Sequence, residues 1–284
     1  MFFGLAAAVG WGLADLMTPF AARKIGSVLT TFVAQLAGLV ALGVLILLLQ
    51  LPVHAPFPDA AILLLSGAFI GGGGYFVFYR ALELGPIALV SPIVAAYAAI
   101  TILLAVVIIG ETLTGLALWG VIVTLLGVIL AATDLRVIHK GGGLNQGGVP
   151  LAIIAMVLFG VGAFVLGRYS QPLGWTSAVL LSRSGIVVGA TVGAVAMRKR
   201  LPRNPPRRNI LVAVGVGLAD LAGMAFFALG SEKVSVSITS AAAAAFILLP
   251  VIGGLVLFKE RPAANQIAGI VVLGVGLILL GFAG

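Results

Sequence analysis

The feature that most constrains this chain is a repeat of its own sequence at a nearly constant distance. Five residues of the first half recur 149 positions later (232 − 83 and so on), namely Glu83, Ser91, Glu111, Gly120 and Gly127, which correspond to Glu232, Ser240, Glu260, Gly269 and Gly276. Nearer the start of each half the register continues at offsets of 148 to 150, in Trp11-Gly12 with Phe159-Gly160, Gly26 with Gly174, and Leu51-Pro52 with Leu201-Pro202. An internal repeat decides the architecture before any other feature is interpreted. The chain is therefore predicted to be a duplication of one unit.

The composition places both units in a membrane. Of the 284 residues, 62% are hydrophobic and only 8% are charged, whereas a soluble domain is about 45–50% apolar and about 25% charged. Lipid must therefore cover much of the surface. The first apolar run, 1–22, lacks the basic start of a secretory signal, and further apolar segments follow at once, so we interpret it as a retained helix. The absence of cysteine from the sequence excludes disulfides, thiolate catalysis and cysteine-bound metals.

Helices are expected to cross the membrane, because the apolar segments are too long and too uniform for the strands of a barrel. A helix needs about 20 apolar residues to cross, and ten such segments fit, near 2–22, 28–49, 60–81, 87–109, 114–133, 150–170, 175–197, 209–230, 235–258 and 263–283. Five helices per unit is an odd number, which predicts that the units lie in opposite orientations, as in many secondary transporters. The predicted fold is an all-α polytopic membrane protein of ten transmembrane helices in two inverted five-helix repeats, at 1–133 and 150–284, with a cytoplasmic Gly-rich linker at 134–149.

Lysine and arginine predict the orientation, because they accumulate in cytoplasmic loops. With an external N-terminus, Arg168 and Lys233 fall outside and Arg183 falls within a span. The cytoplasmic side then holds 13 of the 16 basic residues: Arg23, Lys24, Arg80, Arg136, Lys140, Arg198, Lys199, Arg200, Arg203, Arg207, Arg208, Lys259 and Arg261. Both termini are therefore predicted to face outside. The predicted location is a bacterial inner membrane. This placement explains the net charge of +8, so nucleic acid is not a predicted partner. The expected partners are the lipid bilayer and a small solute, and self-association through helix faces is left open.

Short motifs accompany the repeat. In the first half, Ala81-Leu82-Glu83-Leu84-Gly85-Pro86 leads to Ser91-Pro92 and then to Gly110-Glu111-Thr112-Leu113; the second half has Glu232 to Ser240, Phe246 to Pro250, and Lys259-Glu260-Arg261-Pro262. Over nearly its full length the chain resembles the drug/metabolite transporter superfamily, and its EamA-type ten-helix permeases in particular. The aromatic-rich first half is most similar to the aromatic amino acid exporters of that superfamily.

The resemblance implies a central cavity lined by spans 1–4 and 6–9, and transport of small metabolites without ATP hydrolysis. No cofactor is predicted. The family pattern often has an arginine in the second span of each repeat. Arg183 fits this pattern, but Gln35 stands at the corresponding position of the first repeat (183 − 35 = 148). The two halves are therefore not expected to treat charge alike.

Ionisable residues within spans are the first candidates for a functional site, because each costs roughly 2.5–3.5 kcal/mol on insertion unless it is paired or hydrated. Asp15, Arg183 and Asp220 are of this kind. One interpretation is a buried structural ion pair between Arg183 and either aspartate. The other is a functional site, in which Arg183 binds a substrate carboxylate or an aspartate carries a proton. The sequence leaves both interpretations open.

Aromatic and small polar residues complete the predicted site. Trp11 shares a helix face with Asp15, Tyr75 shares one with Tyr79, and Phe227 lies on the face of Asp220. Ring side chains can pack against a ring-bearing substrate, although helix packing or anchoring at the interface is the alternative for each of them. The predicted substrate-binding residues are Trp11, Asp15, Tyr75, Tyr79, Ser91, Tyr97, Arg183, Asp220, Phe227 and Ser240; no catalytic or metal-ligating residue is predicted.

Glycines and two further glutamates have structural interpretations. Gly185, Gly189 and Gly193 form a small-xxx-small pattern that favours close helix packing. The run from Gly71 to Gly74 resembles a phosphate-binding loop, but no Lys-Ser/Thr follows and the run lies in a span, so it predicts a thin helix beside the cavity. Glu111 and Glu260 each precede a new span, where a carboxylate stabilises a helix N-terminus.

The predicted function is that of a secondary transporter, which exports small neutral or aromatic amino acids and related metabolites by alternating access. An exporter of lipophilic drugs or cations, drawn to Asp15 or Asp220, is the alternative within the transporter class. An intramembrane aspartyl hydrolase is the alternative from another class, but its Gly-x-Gly-Asp motif does not occur in the sequence. Both histidines, His54 and His139, fall in loops, so a serine–histidine pair within the membrane is not expected. The chain is therefore predicted not to be an enzyme.

Overall fold

Helices account for the regular structure of the described part of the chain. The computed structural model describes residues 1–85, 87–113, 115–132, 148–196, 202, 204–257 and 263–283. The predicted linker at 134–149 lies outside these ranges except for its last two residues, and so does Glu260.

The first repeat is a series of helices with two π-helical turns. The helices are α1 (Phe2–Ile25), α2 (Ser27–Leu49), α3 (Asp59–Ser66), α4 (Gly72–Leu84), α5 (Ile87–Ala95), α6 (Tyr97–Leu104) and α7 (Gly115–Ala132). One π-helical turn, Gly67–Gly71, joins α3 to α4, and the other, Ala105–Ile109, extends α6.

The second repeat follows the same order. Its helices are α8 (Val149–Leu173), α9 (Trp175–Ala196), α10 (Arg207–Lys233), α11 (Val236–Ala243), α12 (Leu248–Leu257) and α13 (Ala264–Ala283). A 3-10 turn, Ala244–Ile247, joins α11 to α12.

By length and hydropathy, seven helical segments within the described ranges can cross a membrane: Phe2–Ile25, Ser27–Leu49, Asp59–Leu84, Val149–Leu173, Trp175–Gly193, Arg207–Lys233 and Val236–Gly253. Three shorter apolar helices accompany them, at Ile93–Ile109, Gly115–Leu130 and Ala264–Leu280. Helices suit this environment because lipid offers no hydrogen-bond partner to the backbone. The all-helical membrane fold is as predicted, and the number of ten crossings stays a prediction.

Helices from opposite repeats pack in antiparallel pairs. Along α1 and α10, Gly10 faces the backbone of Gly223, whereas Phe3, near the start of α1, faces Gly230, near the end of α10. Along α7 and α13, Gly120 faces Leu280 and Gly127 faces Leu273. Antiparallel contact between the repeats is the arrangement that an inverted duplication requires.

Basic residues of both repeats lie at the same end of the bundle. The Arg23 guanidinium donates a hydrogen bond to the carbonyl of Gly85 (3.0 Å), and Asn209, beside Arg207 and Arg208, donates one to the carbonyl of Phe20 (2.7 Å). These basic residues therefore share one end. At the opposite end, Met1 and Leu277 of α13 pack against the same cluster of buried residues, which places the start of the chain close to the last helix. Which end faces the cytoplasm stays a prediction.

Glutamates hold helix starts at both ends of the bundle. The carboxylate of Glu83 accepts a hydrogen bond from the N–H of Ser27, which begins α2 (3.1 Å), and its repeat counterpart Glu232 accepts one from the N–H of Trp175, which begins α9 (2.8 Å). A carboxylate at this position satisfies an unpaired amide and favours the helix dipole. These two caps lie within their own repeats.

Glu111 caps a different helix from the one predicted. The sequence predicted that it stabilises the span that follows it, but its two oxygens accept hydrogen bonds from the N–H groups of Val236 and Ser237 (2.8 and 2.9 Å). These amides begin α11, in the other repeat. A positive φ of 77° at Gly110 turns the chain just before this glutamate. The cap is therefore a polar link between the repeats.

The fourth span of each repeat is broken near its middle. In the first repeat the break lies at Ala96, between α5 and α6, and in the second it is the 3-10 turn Ala244–Ile247. Pro250 explains the second break, because its ring crowds the carbonyl of Phe246 and it has no N–H to bond there. Discontinuous helices at repeat-related positions are typical of transporter binding sites.

Small residues let the third and seventh spans approach closely. Gly185 and Gly189 of α9 face the backbone of Leu64 and Ala68, as the small-xxx-small pattern predicts, whereas Gly193 has nothing within 4 Å in the described structure. Further along the third span, in α4, Gly74 lies against the ring of Phe159. The glycine-rich segment thus lies against the helices of the second repeat.

Candidate functional site

A cavity of about 100 Å³ lies between the two repeats. Its walls come from α1, α3, the π-helical turn, α4, α5 and α6 of the first repeat, and from α8, α9, α10 and the 3-10 turn of the second. The lining residues are Trp11, Asp15, Ser66, Gly67, Gly71, Tyr75, Phe78, Val94, Tyr97, Phe159, Gly162, Ala163, Leu166, Ser182, Ile186, Asp220, Met224 and Phe246.

Six of the residues that line the cavity are aromatic. The ring of Tyr97 lies between Trp11 (centroids 6.0 Å apart) and Phe246 (6.3 Å apart). On the other wall, Tyr75 contacts Phe159 edge-on at 5.0 Å. Centroid separations of 4.5–7 Å are those at which aromatic pairs attract each other. The rings therefore support one another and keep a preformed surface for an apolar or ring-bearing solute.

Asp220 is the acceptor at the centre of a buried polar network. The fully buried guanidinium of Arg183, from α9, forms a salt bridge with Oδ2 of Asp220. The hydroxyl of Tyr75, from α4, donates to Oδ1 (2.6 Å), and the amide of Gln35, from α2, donates to Oδ2 (3.4 Å). Three helices thus supply donors to one carboxylate. Such partners are what a buried charge needs to be tolerated.

Asp15 lies in a different environment. Its side chain lines the cavity, and 6% of the residue is exposed. Oδ2 has no hydrogen-bond partner among the described residues, and no described cationic side chain forms a salt bridge with it. Its polar neighbour is the hydroxyl of Ser91. A buried carboxylate without a cation is costly, so this group is suited to bind a positively charged solute or to hold a proton.

Half of the predicted site residues line the cavity. Trp11, Asp15, Tyr75, Tyr97 and Asp220 do so. Arg183 lies behind Asp220 and Phe227 lies behind Trp11, with ring centroids 5.4 Å apart, and both are fully buried. Tyr79 is 1% exposed and packs among the residues around Phe78 and Ile87. Ser91 and Ser240 are buried, and neither hydroxyl has a partner in the described structure.

Three rings of the cavity were not among the predicted site residues. Phe159 and Phe246 are the repeat counterparts of Trp11 (159 − 11 = 148) and Tyr97 (246 − 97 = 149). Applying the repeat register to the predicted site would have found both. Phe78 is the third, and the same register identifies it as the counterpart of the predicted Phe227 (227 − 78 = 149). Gln35 was noted only as a departure from the arginine pattern, yet it belongs to the Asp220 network.

The arrangement can bind a solute, and its described residues contain no group of metal ligands. Within the described residues, no cluster of three or more His, Cys, Asp or Glu side chains could hold a metal ion. The cavity instead combines an aromatic wall, one carboxylate with a full set of donors and one carboxylate without a cation. This chemistry suits reversible binding of a small organic molecule.

The sequence matches the EamA-like transporter family over residues 1–133 and 146–282, which covers both repeats. A solved crystal structure of a protein superposes on this chain with a TM-score of 0.73, covering 99% of this chain and 96% of that one at 17% sequence identity. At this identity the likeness concerns the fold. Among curated proteins, none is significantly similar in sequence.

Proposed function

Because the chain belongs to the EamA-like transporter family, we propose that it is a secondary transporter that exports small neutral or aromatic amino acids and related metabolites. The solute would occupy the cavity between the repeats, and the repeats would move relative to each other to open one side at a time. Export across a bacterial inner membrane is proposed from the likeness of the first half to aromatic amino acid exporters and from the distribution of basic residues. The substrate-binding residues we propose are those of the predicted site that line the cavity.

The observation that carries this proposal is the aromatic wall beside Asp15. An aromatic or aliphatic side chain placed against Trp11, Tyr97 and Phe159 would gain roughly 25 cal/mol for each Å² removed from water. The ammonium of the same molecule would find the carboxylate of Asp15, which forms no salt bridge with a described cation. An amine attached to an apolar body matches both features.

A lipophilic cation is the second candidate, and one observation favours it. Arg183 is bound to Asp220 and does not line the cavity. The described lining residues therefore include no cationic side chain that could bind the carboxylate of an amino acid. A cation without a carboxylate would need only Asp15 and the rings. The two candidates therefore differ in whether the solute carries a carboxylate.

Counterflow in proteoliposomes tests the proposal. Vesicles holding the purified protein and unlabelled phenylalanine should accumulate labelled phenylalanine, and a panel of amino acids and phenethylamine at two pH values ranks the solutes. Phenethylamine exchanged faster than phenylalanine would favour the cation candidate. A panel in which no solute is exchanged would contradict both, and cleavage of a membrane peptide would favour the hydrolase.

A matched pair of variants ties transport to the cavity. Tyr75→Ala removes a ring from the wall, whereas Phe69→Ala removes one that is 76% exposed on the outside of the same span. Tyr75→Ala should slow counterflow of phenylalanine more than that of alanine, and Phe69→Ala should change neither. Equal effects of the two variants would place the solute elsewhere.

A further inference from the structure

The lining of the cavity is repeat-related, but its charges are not. Five pairs of lining residues stand 148 or 149 positions apart: Trp11 and Phe159, Asp15 and Ala163, Gly71 and Asp220, Tyr75 and Met224, and Tyr97 and Phe246. Two pairs keep a ring on both sides. Each carboxylate, in contrast, has a small uncharged residue as its repeat counterpart, Ala163 for Asp15 and Gly71 for Asp220. The two sides of the cavity therefore share rings at two pairs of positions but do not share the carboxylates.

The two carboxylates have different electrostatic situations. The charge of Asp220 is balanced within the protein by Arg183, and Tyr75 and Gln35 add donors. The charge of Asp15 is not balanced by any described cation. The cavity therefore offers a solute one carboxylate that has no cationic partner among the described residues.

Position 163 is the repeat counterpart of Asp15, and its alanine carries no charge. Ser91, the neighbour of Asp15, has the repeat counterpart Ser240, which is fully buried and whose hydroxyl has no partner in the described structure. The second repeat has thus kept the hydroxyl of the pair, while Ala163 stands where the carboxylate would be. This alanine lines the cavity, so a solute meets a methyl group there.

We propose that residues 15 and 163 together set the number of ammonium groups that the cavity accepts, and that this protein accepts one, at Asp15. This inference rests on the proposed function and names its substrate class: solutes with a single ammonium and an apolar or aromatic body. A second ammonium would be brought against Ala163 without a carboxylate, and desolvating an unpaired cation is costly. Ala163 therefore acts against diamines.

Moving the carboxylate between the repeats tests the inference. Asp15→Ala should lower phenethylamine counterflow at least tenfold, and the double variant Asp15→Ala/Ala163→Asp should restore it to within threefold of wild type. Ala163→Asp by itself should raise counterflow of 1,5-diaminopentane at least tenfold. Ala163→Asn, which adds the same bulk without charge, should give no such gain. Gel filtration and circular dichroism establish that each variant is folded.

The outcomes separate this inference from the proposed function. If wild type exchanges neither phenylalanine nor phenethylamine, the proposed function fails. If wild type exchanges phenethylamine but 1,5-diaminopentane competes as well as unlabelled phenethylamine does, the inference is wrong whatever the variants do. Folded variants that show neither rescue nor a gain of diamine transport overturn it as well. Should Ala163→Asp not fold, wild-type competition by 1,5-diaminopentane is compared with that by pentylamine, the monoamine of the same chain length. A diamine at least tenfold weaker than this monoamine supports the inference, and an equally strong one contradicts it.

Discussion

Replacing Arg183 with glutamine removes the cation that pairs with Asp220 deep in the bundle. The guanidinium side chain is 0% exposed and the carboxylate side chain 3%, so water cannot take the place of the lost partner. Breaking a buried pair by removing one member costs about 3–5 kcal/mol, because the remaining charge is left unmatched. Tyr75 and Gln35 still donate to Asp220 in the variant, so we expect the lower part of this range, about 3 kcal/mol.

The double variant Arg183→Gln/Asp220→Asn measures the pairing itself. It contains no buried charge at this place, so its loss of stability should be smaller than the sum of the two single losses, with a coupling energy of about 2 kcal/mol or more. The free energy of unfolding is measured by denaturant titration in mixed micelles, followed by near-ultraviolet circular dichroism. Arg80→Gln is the control, because Arg80 pairs with Glu83 at 2.7 Å with side chains 37% and 22% exposed, and a pair of this kind is worth about 0–1 kcal/mol.

Two results would refute the reasoning. One is an Arg183→Gln protein as stable as wild type. The other is additivity of the two single variants, which would mean that the charges do not sense each other. If the folded Arg183→Gln protein is destabilised yet transports phenylalanine as wild type does, Arg183 is a structural partner of Asp220 and not the anchor of a substrate carboxylate.

Three further predictions concern orientation, coupling and packing. A reporter active only in the cytoplasm, fused after Gly284, should be silent in intact cells, because the basic loops place both termini outside; strong activity would overturn this orientation. If Asp15 holds the coupling proton, Asp15→Asn should abolish the response of transport to a pH gradient and leave a counterflow that is lowered, as in Asp15→Ala, but still measurable, whereas Asp220→Asn should chiefly lower the free energy of unfolding; wild-type transport that ignores the gradient would remove the proton hypothesis. Tyr79→Ala should destabilise the protein by about 3–5 kcal/mol, as large-to-small changes in a core do, and should not change the ranking of solutes in counterflow, which a residue of the cavity wall would change.

Much of the fold could be predicted because lipid restricts the choices. Long apolar segments in a membrane must be helices, and a duplication of five helices must invert. The ends of helices were harder to place. The first span was predicted to end at residue 22 and runs to Ile25, because its last turn carries Arg23 and Lys24, whose charges mark the loop in the sequence but are favourable at a helix C-terminus.

Side-chain partners depend on helix tilt and rotation, which the sequence does not encode locally. An ion pair of Arg183 with either aspartate was one of two interpretations that the sequence left open, and the packing of α9 against α10 brings Arg183 to Asp220. Tyr75 and Tyr79 share a helix face, so both were predicted to line the cavity. One helical turn is about 5.4 Å long, and over that distance the cavity gives way to the packed residues around Tyr79.

The departure of Gln35 from the arginine pattern becomes understandable within the Asp220 network. Gln35 and Arg183 occupy corresponding positions, and both donate to the same carboxylate. The counterpart of that carboxylate is Gly71, so the two second-span residues share one negative charge. An arginine at position 35 would bring a second guanidinium to a single carboxylate and leave one buried positive charge unmatched. Glutamine keeps a donor in the same place without adding charge. One arginine and one carboxylate thus match each other in charge, and glutamine at position 35 keeps the network neutral.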